Sequence, residues 1–373
     1  MAGIYLHIPF CKKKCHYCDF HFSTKLDGQQ QMVDAIISEA KQRQSYLSET
    51  IETIYFGGGT PSLLTDAQLQ NILQSLHEIF DVAADAEVTL ECNPDDLNEA
   101  NLTSFLKIGV NRLSIGIQSF DDEVLQFMNR AHNAKEAINV ISLAQDVGFK
   151  NITADLIYGI PNKSFEYWKN QVDLMLKQNV QHISAYCLTV EPKTVFGHKK
   201  MKGELIELAD EESLRQFNYL KDTLAINGFE QYEISNFAKT NAVSKHNSAY
   251  WLGKNYLGLG PSAHSYNGES RSWNIANNNL YVKKIVANEA AFETELLSPS
   301  DKFNDYVLTR LRTIWGISKS EINDLAQGQS LDEFYQTCRN HISSENLRET
   351  EVGYFLTEKG KFIADRVAAD LFI

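Results

Sequence analysis

Three cysteines lie within eight residues near the start of the chain, in the run Ile8-Pro9-Phe10-Cys11-Lys12-Lys13-Lys14-Cys15-His16-Tyr17-Cys18-Asp19-Phe20, which is the spacing C-x3-C-x2-C. Thiolates this close together on one loop hold three corner irons of a cubane iron–sulfur cluster. No fourth cysteine is near in sequence, so one iron stays open for chemistry. Two other readings use the same residues. A zinc ion would take Cys11, Cys15 and Cys18 with His21 or His16 as the fourth ligand of a tetrahedron. A disulfide would need an oxidising compartment, and the segment from Met1 to Tyr5 has neither the basic nor the apolar region of an export signal. The spacing favours the cluster over zinc and both over the disulfide.

The elements that must position this loop are legible as a rhythm. Strand-like runs at 4–8, 53–56, 87–91, 112–117, 151–157 and 182–189 alternate with helical patterns at 30–46, 66–80, 98–108, 135–147 and 165–178, closed by a helix at 211–227. Repeated strand–helix units require parallel strands with helical crossovers, and six in succession predict an α/β fold built as a partial parallel (β/α)6 barrel. The reactive face of such a barrel is at the C-terminal ends of its strands. A polar or flexible element stands at each of those ends. They are the cysteine loop, Gly57-Gly58-Gly59-Thr60-Pro61, Glu91 with Asn93, Gln118, Asp155 with Gly159, and Tyr186 with Glu191.

The expected organisation is a barrel over 1–235, a loop-rich connecting region over 236–298 and a small C-terminal helical domain over 299–373. Residues 246–273 are aromatic and glycine-rich and read as loops over a site. Short helices followed by a small β element near Tyr354 to Thr357 suggest a winged-helix-like module. A net charge of −13 with a pI near 5.3 argues against a surface that tracks nucleic-acid phosphates and against tight binding to an anionic membrane. Docking is therefore the expected use of the C-terminal module. With no run of eighteen apolar residues and no lipidation signature, a cytoplasmic location is expected, with any membrane contact peripheral.

Ordered motifs carry a resemblance across essentially the whole chain. Tyr5-Leu6-His7-Ile8-Pro9-Phe10-Cys11-x3-Cys15-x-Tyr17-Cys18, Gly57-Gly58-Gly59-Thr60-Pro61 and Ser114-Ile115-Gly116-Ile117-Gln118-Ser119-Phe120 resemble the radical S-adenosylmethionine proteins, in the branch that holds anaerobic coproporphyrinogen III oxidase and a related haem chaperone. The resemblance implies a [4Fe-4S] cluster on Cys11, Cys15 and Cys18, with S-adenosylmethionine chelating the open iron and cleaved reductively to a 5′-deoxyadenosyl radical. It also implies that Tyr5, Tyr17, Gly58, Gly59, Thr60, Glu91, Gln118, Arg130 and Asp155 contact one or two cofactor molecules. Chemically these suit a sulfonium and an ammonium, which want carboxylates nearby, and a carboxylate, which wants an arginine.

Two departures bear on the branch. Phe20 stands where the oxidase has a further cysteine, and His246-Asn247-Ser248-Ala249-Tyr250-Trp251 resembles the H-N-x-x-Y-W motif of the chaperone. A histidine is a common axial ligand to haem iron, and neighbouring rings can stack on a porphyrin. The expectation is a chaperone that binds haem through His246, Tyr250 and Trp251 and hands it to an apo-protein, with respiratory and membrane-associated recipients among the candidates. Its implied electron donor is of flavodoxin or ferredoxin type. The alternatives are radical decarboxylation of coproporphyrinogen III and a zinc-stabilised binding protein.

Overall fold

The structure is a computed structural model and describes residues 2–326 and 331–373; Met1 and residues 327–330, which fall in the expected N- and C-terminal regions, lie outside the described residues. Six parallel strands form its centre: β1 (Ala2–Ile8), β2 (Ile51–Gly58), β3 (Val82–Cys92), β4 (Arg112–Gln118), β5 (Asn151–Tyr158) and β6 (His182–Cys187). Between and after them run α1 (Gln29–Gln42), α2 (Asp66–Ile79), α3 (Glu99–Ile108), α4 (Asp122–Phe127), α5 (Ala134–Val147), α6 (Phe165–Lys177), α7 (Val195–Met201) and α8 (Asp210–Ile226). The helix starts are written locally. Thr65 with Gln68, Asn98 with Asn101, and Asn133 with Glu136 form reciprocal capping boxes that satisfy the free N–H groups of α2, α3 and α5.

The central strands alternate over most of their length. Ile4, Leu6, Ile8, Ile54, Phe56, Leu90, Leu113, Ile115, Ile152, Ala154 and Ile183 are buried under the helices. The residues between them, including Tyr5, Tyr55, Thr89, Glu91, Ser114, Asp155 and Ser184, line the space inside the barrel. Parallel strands covered on both faces are ordinarily apolar throughout. Here one face is polar, so the barrel encloses a cavity rather than a packed core.

The region expected to be loops continues the sheet instead. After β7 (Glu230–Glu233) and β8 (Asn236–Ala238) come the helix α9 (Lys245–Trp251) and strands β9 (Asn255–Leu259), β10 (His264–Tyr266) and β11 (Ser270–Asn274), then α10 (Asn278–Val286) and β12 (Phe292–Leu296). The sheet runs β12-β11-β10-β9-β1-β2-β3-β4-β5-β6-β8-β7, with β9 parallel to β1 and β8 antiparallel to β6. Aromatic and glycine-rich composition suggests loops, but Gly258 lets β9 approach the backbone of β10: a Cβ there would lie 2.0 Å from the His264 carbonyl oxygen. From Pro299 onward, helices and a three-stranded antiparallel sheet surround a core of their own that includes Phe303, Val307, Phe334, Leu347 and Val367. Among the described residues, no helix is long and apolar enough to cross a membrane.

A buried ionic network ties the added strands to the barrel. Glu39 of α1 pairs with Arg43 at 3.2 Å and accepts from Tyr281 Oη (2.6 Å), Gly260 N (2.9 Å) and Asn274 Nδ2 (2.8 Å). Arg43 donates to Ser265 and Ser272, each at 3.1 Å, and to the Gly258 carbonyl. Removing one partner leaves the other charge buried and unpaired. Glu39→Ala is therefore expected to lower the unfolding free energy by about 3–5 kcal/mol in a urea titration; a loss below about 1 kcal/mol, the scale of an exposed pair, would show that the network is not what joins these strands.

Candidate cofactor site

The cysteine loop leaves β1 at the C-terminal end of the barrel and is fastened on several sides. Ser23 N donates to the Pro9 carbonyl (2.8 Å) and Cys11 N to the Ser23 carbonyl (3.0 Å), so the returning chain pairs with the outgoing one. His16 N donates to the Met128 carbonyl after α4, and Phe196 N of α7 donates to the His16 carbonyl. Lys12 forms ion pairs with Asp95 (2.8 Å) and Asp96, just beyond β3. These anchors fix the loop without spending a cysteine.

Each sulfur faces the cavity and has a donor. Thr60 Oγ1 donates to Cys11 Sγ at 3.5 Å, Arg130 Nη1 donates to Cys15 Sγ at 3.5 Å, and the Phe20 N–H serves Cys18. Burial raises the Cys11 thiol above its ordinary value and pushes Cys18 up to about 11, with the neighbouring cysteines adding to both. Metal binding must therefore displace protons here. The histidines of the zinc reading are used elsewhere. His16 Nδ1 bonds the Phe127 carbonyl oxygen (2.8 Å) and His21 Nε2 the Asn278 Oδ1 (2.7 Å), and among the described residues no three ligating side chains converge as a single ion requires. All six cysteines are free thiols.

Inward from the sulfurs is a cavity of about 520 Å³ lined by the strand ends. Gly58 has φ 104°, a conformation that suits glycine, and a Cβ on Gly59 would lie 2.7 Å from the carbonyl oxygens of Ile8 and Phe10. The Gly-Gly-Gly turn thus presses its backbone against the cysteine loop. Gln118 closes β4 at φ 64°, an uncommon geometry for a residue with a side chain, at the cavity wall. Tyr17, Gly58, Gly59, Thr60, Glu91, Gln118, Arg130 and Asp155 all line this cavity with the three cysteines. Tyr5 lies deeper, in an adjoining chamber of about 220 Å³ that shares Glu91 and Asp155 with the first.

Charge is distributed unevenly within it. Arg130 donates from Nη2 to Asn93 Oδ1 (2.6 Å) and to the Gly116 carbonyl (2.8 Å), and from Nη1 to Tyr17 Oη (3.3 Å), while its buried Nε has no partner. Asn93 also donates to Thr60 Oγ1, so one side chain orients both sulfur donors. Glu91 accepts from the Tyr55 hydroxyl at 2.7 Å, and burial raises its carboxyl. Asp155 is pushed up to about 7, by burial first and then by the Glu91 charge. Among the described residues neither carboxylate has an ion-pair partner. Two facing carboxylates without a cation, beside an arginine with an orphaned N–H, suit a ligand carrying both positive groups and a carboxylate.

The motif around His246 is at the other end of the barrel. Glu87 of β3 accepts from the backbone N–H groups of Lys245 and His246 and from the Ser244 hydroxyl, which caps α9 and draws it across the N-terminal ends of the strands. His246 is 3% exposed; Nδ1 lies 2.8 Å from Thr53 Oγ1 and Nε2 3.0 Å from the Tyr250 hydroxyl. Burial lowers it to about 3, so the ring is neutral. Trp251 lies under the Arg312 guanidinium at 5.4 Å, outside both chambers. A free axial ligand at the mouth is not what this arrangement offers.

Residues 5–175 match the Radical SAM superfamily. The chain is 32% identical to the heme chaperone HemW of Bacillus subtilis (strain 168), over 98% of each chain, and 34% identical to that of Lactococcus lactis subsp. lactis (strain IL1403), over 97% of this chain and 95% of the relative. It belongs to the HemW family of radical SAM proteins. The solved coproporphyrinogen III oxidase HemN of Escherichia coli, 22% identical, superposes with a TM-score of 0.86 over all of this chain and 90% of its own, so the two share a fold.

Membership in the radical SAM superfamily brings a [4Fe-4S] cluster and S-adenosylmethionine, and the donors, carboxylates and orphaned Arg130 Nε described above fit that pair. The residues not foreseen are Tyr55, Arg112, Thr153 and His182, all on the inner faces of the strands; polar residues at every second position of a parallel strand were the available signal. For the cofactor-free protein, Asp155 has a folded value above its unfolded one, so its ionisation opposes folding increasingly as pH rises from about 4 to about 7 and by a constant amount above that. Asp155→Asn is expected to gain stability over the wild type across that window, reaching on the order of 1 kcal/mol or more at pH 8. A difference that does not change with pH would contradict the buried setting without an ion-pair partner.

Proposed function

We propose that the chain is a haem chaperone that holds haem at the mouth of its cofactor cavity and passes it to an apo-protein. Cys11, Cys15 and Cys18 would hold the [4Fe-4S] cluster, and Tyr5, Tyr17, Gly58, Gly59, Thr60, Glu91, Gln118, Arg130 and Asp155 would hold S-adenosylmethionine. When bound, the pair supplies one-electron reductive cleavage of a sulfonium. Thr60, Arg130 and the Phe20 N–H hold the three thiolates. Glu91 and Asp155 attract positive groups, Arg130 orients a carboxylate, and the inner strand faces exclude bulk water.

The observation that carries the haem reading is the rim. Phe20 is 69% exposed and Tyr186 47% exposed, both line the cavity, and Phe22 lies beside them. Exposed rings around an open cavity supply the flat apolar contact that a porphyrin face needs. This surface starts at the position where the oxidase branch has a further cysteine. Similarity to the heme chaperones over nearly the full length of both chains supports the same reading.

A haem role for His246, Tyr250 and Trp251 would require α9 to leave the barrel end and the Tyr250 hydroxyl to release Nε2. Lys13 and Lys14 are exposed on the cysteine loop and suit an acidic one-electron carrier of flavodoxin or ferredoxin type. The recipient apo-protein is proposed by function only, with respiratory and membrane-associated haem proteins as candidates. A peripheral, acidic chaperone could reach such a recipient without an anchor.

Haem titration of the reconstituted protein tests the placement. Wild type is expected to develop a Soret band, Phe20→Asp to bind about tenfold or more weakly through loss of buried apolar contact, and His246→Ala to keep the wild-type spectrum and affinity. Loss of the band in His246→Ala with Phe20→Asp unaffected would move haem to an opened α9. Protoporphyrinogen formation from coproporphyrinogen III under reducing, anaerobic conditions would overturn the chaperone reading.

A further inference from the structure

The His246 motif, left unused by the rim, is part of a continuous file of aromatic rings. Starting inside the barrel, Tyr5 stacks on Tyr55 (6.1 Å between centroids), Tyr55 on His246 (4.9 Å), His246 meets Tyr250 edge-on (5.0 Å), Tyr250 meets Tyr256 (4.6 Å), and Tyr256 lies 6.3 Å from Tyr266. The file leads from the wall of the cofactor cavity, where Tyr55 touches Glu91, to β10, where Tyr266 is partly exposed and pairs in register with Tyr256 of β9. Space is made for it at its inner end. A Cβ on Gly57 would lie 2.9 Å from both the Tyr5 and Tyr55 rings and 3.1 Å from Glu91.

Three of its phenols have a proton acceptor in place, the first being Tyr5, whose hydroxyl lies 3.2 Å from His7 Nδ1. The Tyr55 hydroxyl donates to the Glu91 carboxylate at 2.7 Å. Tyr250 lies 3.0 Å from His246 Nε2, whose other nitrogen, bonded to Thr53, is free to carry the ring proton. A buried tyrosine cannot lose an electron alone, because the phenol cation would be stranded in a low-dielectric interior; a fixed acceptor for the proton removes that obstacle. Packing alone asks for rings of the right size, and it does not ask for a carboxylate on one hydroxyl and a neutral imidazole on the next.

We propose that this file is a radical-discharge path, which carries an oxidising equivalent from the cofactor cavity to the surface when no substrate consumes it. The proposal rests on the reading that the cavity generates a carbon-centred radical from the sulfonium cofactor. The radical is quenched as a C–H bond by one electron from Tyr55 and by the Tyr55 phenolic proton, relayed through Glu91. Tyr250 then reduces the Tyr55 phenoxyl, lending its own proton to His246 Nε2, while Glu91, which lines the open cavity, returns to Tyr55 a proton taken up from solvent. Tyr256 and then Tyr266, both partly exposed, pass the oxidising equivalent on while exchanging their phenolic protons with solvent, and Tyr250 recovers its proton from His246. An external thiol gives a hydrogen atom to the Tyr266 phenoxyl. The net change is one C–H bond formed in the cavity and one S–H bond broken outside. A protein that holds a porphyrin rather than decarboxylating it has particular need of such an outlet.

The test uses the full chain with its cluster reconstituted, S-adenosylmethionine present and no haem, reduced anaerobically and frozen at intervals for electron paramagnetic resonance, with 5′-deoxyadenosine measured in the same samples. The expected result is an organic radical signal whose hyperfine pattern narrows when the tyrosines are deuterated. In Tyr55→Phe this signal is lost although 5′-deoxyadenosine still forms. In Tyr250→Phe it persists, but oxidation of Tyr266, read by peptide mapping after an air quench, disappears. Equal signals and equal Tyr266 oxidation in wild type and both variants, with 5′-deoxyadenosine formed in all three, would overturn the path while leaving the cofactor reading intact. Absence of 5′-deoxyadenosine in the wild type would overturn both, since the oxidant itself would be missing.

Discussion

Three thiolates on one short loop repel one another, and the site depends on their being held apart at a fixed spacing before any iron arrives. Burial and mutual charge favour the protonated thiols, as the raised values of Cys11 and Cys18 show. What opposes this is a set of donors fixed from outside the loop. Thr60 comes from the turn after β2 and Arg130 from the segment after α4, and Asn93 binds both, so the sulfur environment is set by the ends of several strands. The barrel is the frame for that arrangement: parallel strands bring their C-terminal ends to one face, and no local segment could gather the same groups.

The polar lining of the barrel follows from the same requirement. A cavity that takes a charged cofactor must offer carboxylates without filling them with internal cations, and Glu91 and Asp155 are left in that state. Stability is recovered elsewhere, in the apolar outer faces of the six strands and in the buried Glu39–Arg43 network that fastens β9, β10 and β11 to α1. The barrel's far end is closed by α9 on Glu87. The cysteine loop and α9 thus stand at opposite ends of the barrel, with the aromatic file starting between them.

Much of this was legible in the sequence. The C-x3-C-x2-C loop, the six alternating strand and helix patterns and the glycine turn each carry their own local signal, because a capping residue, a period-2 strand or a glycine triplet acts over a few residues. The position of His246-Asn247-Ser248-Ala249-Tyr250-Trp251 was not legible. Its side chains read equally as a lid, and it is the long-range bonds from Glu87 and Thr53, far away in sequence, that hold α9 at that end of the barrel. Strands β9 to β12 were also hidden, since Gly258, Gly260 and Gly268 look like loop punctuation until the close backbone approach at Gly258 is seen. The inner-face residues Tyr55, Arg112 and His182 show in the sequence only as polar alternation, a pattern that departs from the apolar run of covered parallel strands.

The most direct test of the central claim is the resonance spectrum of the reduced, anaerobically reconstituted protein, recorded before and after adding S-adenosylmethionine and accompanied by iron and sulfide analysis. The account predicts a [4Fe-4S] signal that changes shape on addition of the cofactor, because its amino and carboxylate groups reach the one iron that Cys11, Cys15 and Cys18 leave open. A cluster signal that is identical with and without the cofactor, or protein that takes up no iron, would contradict it.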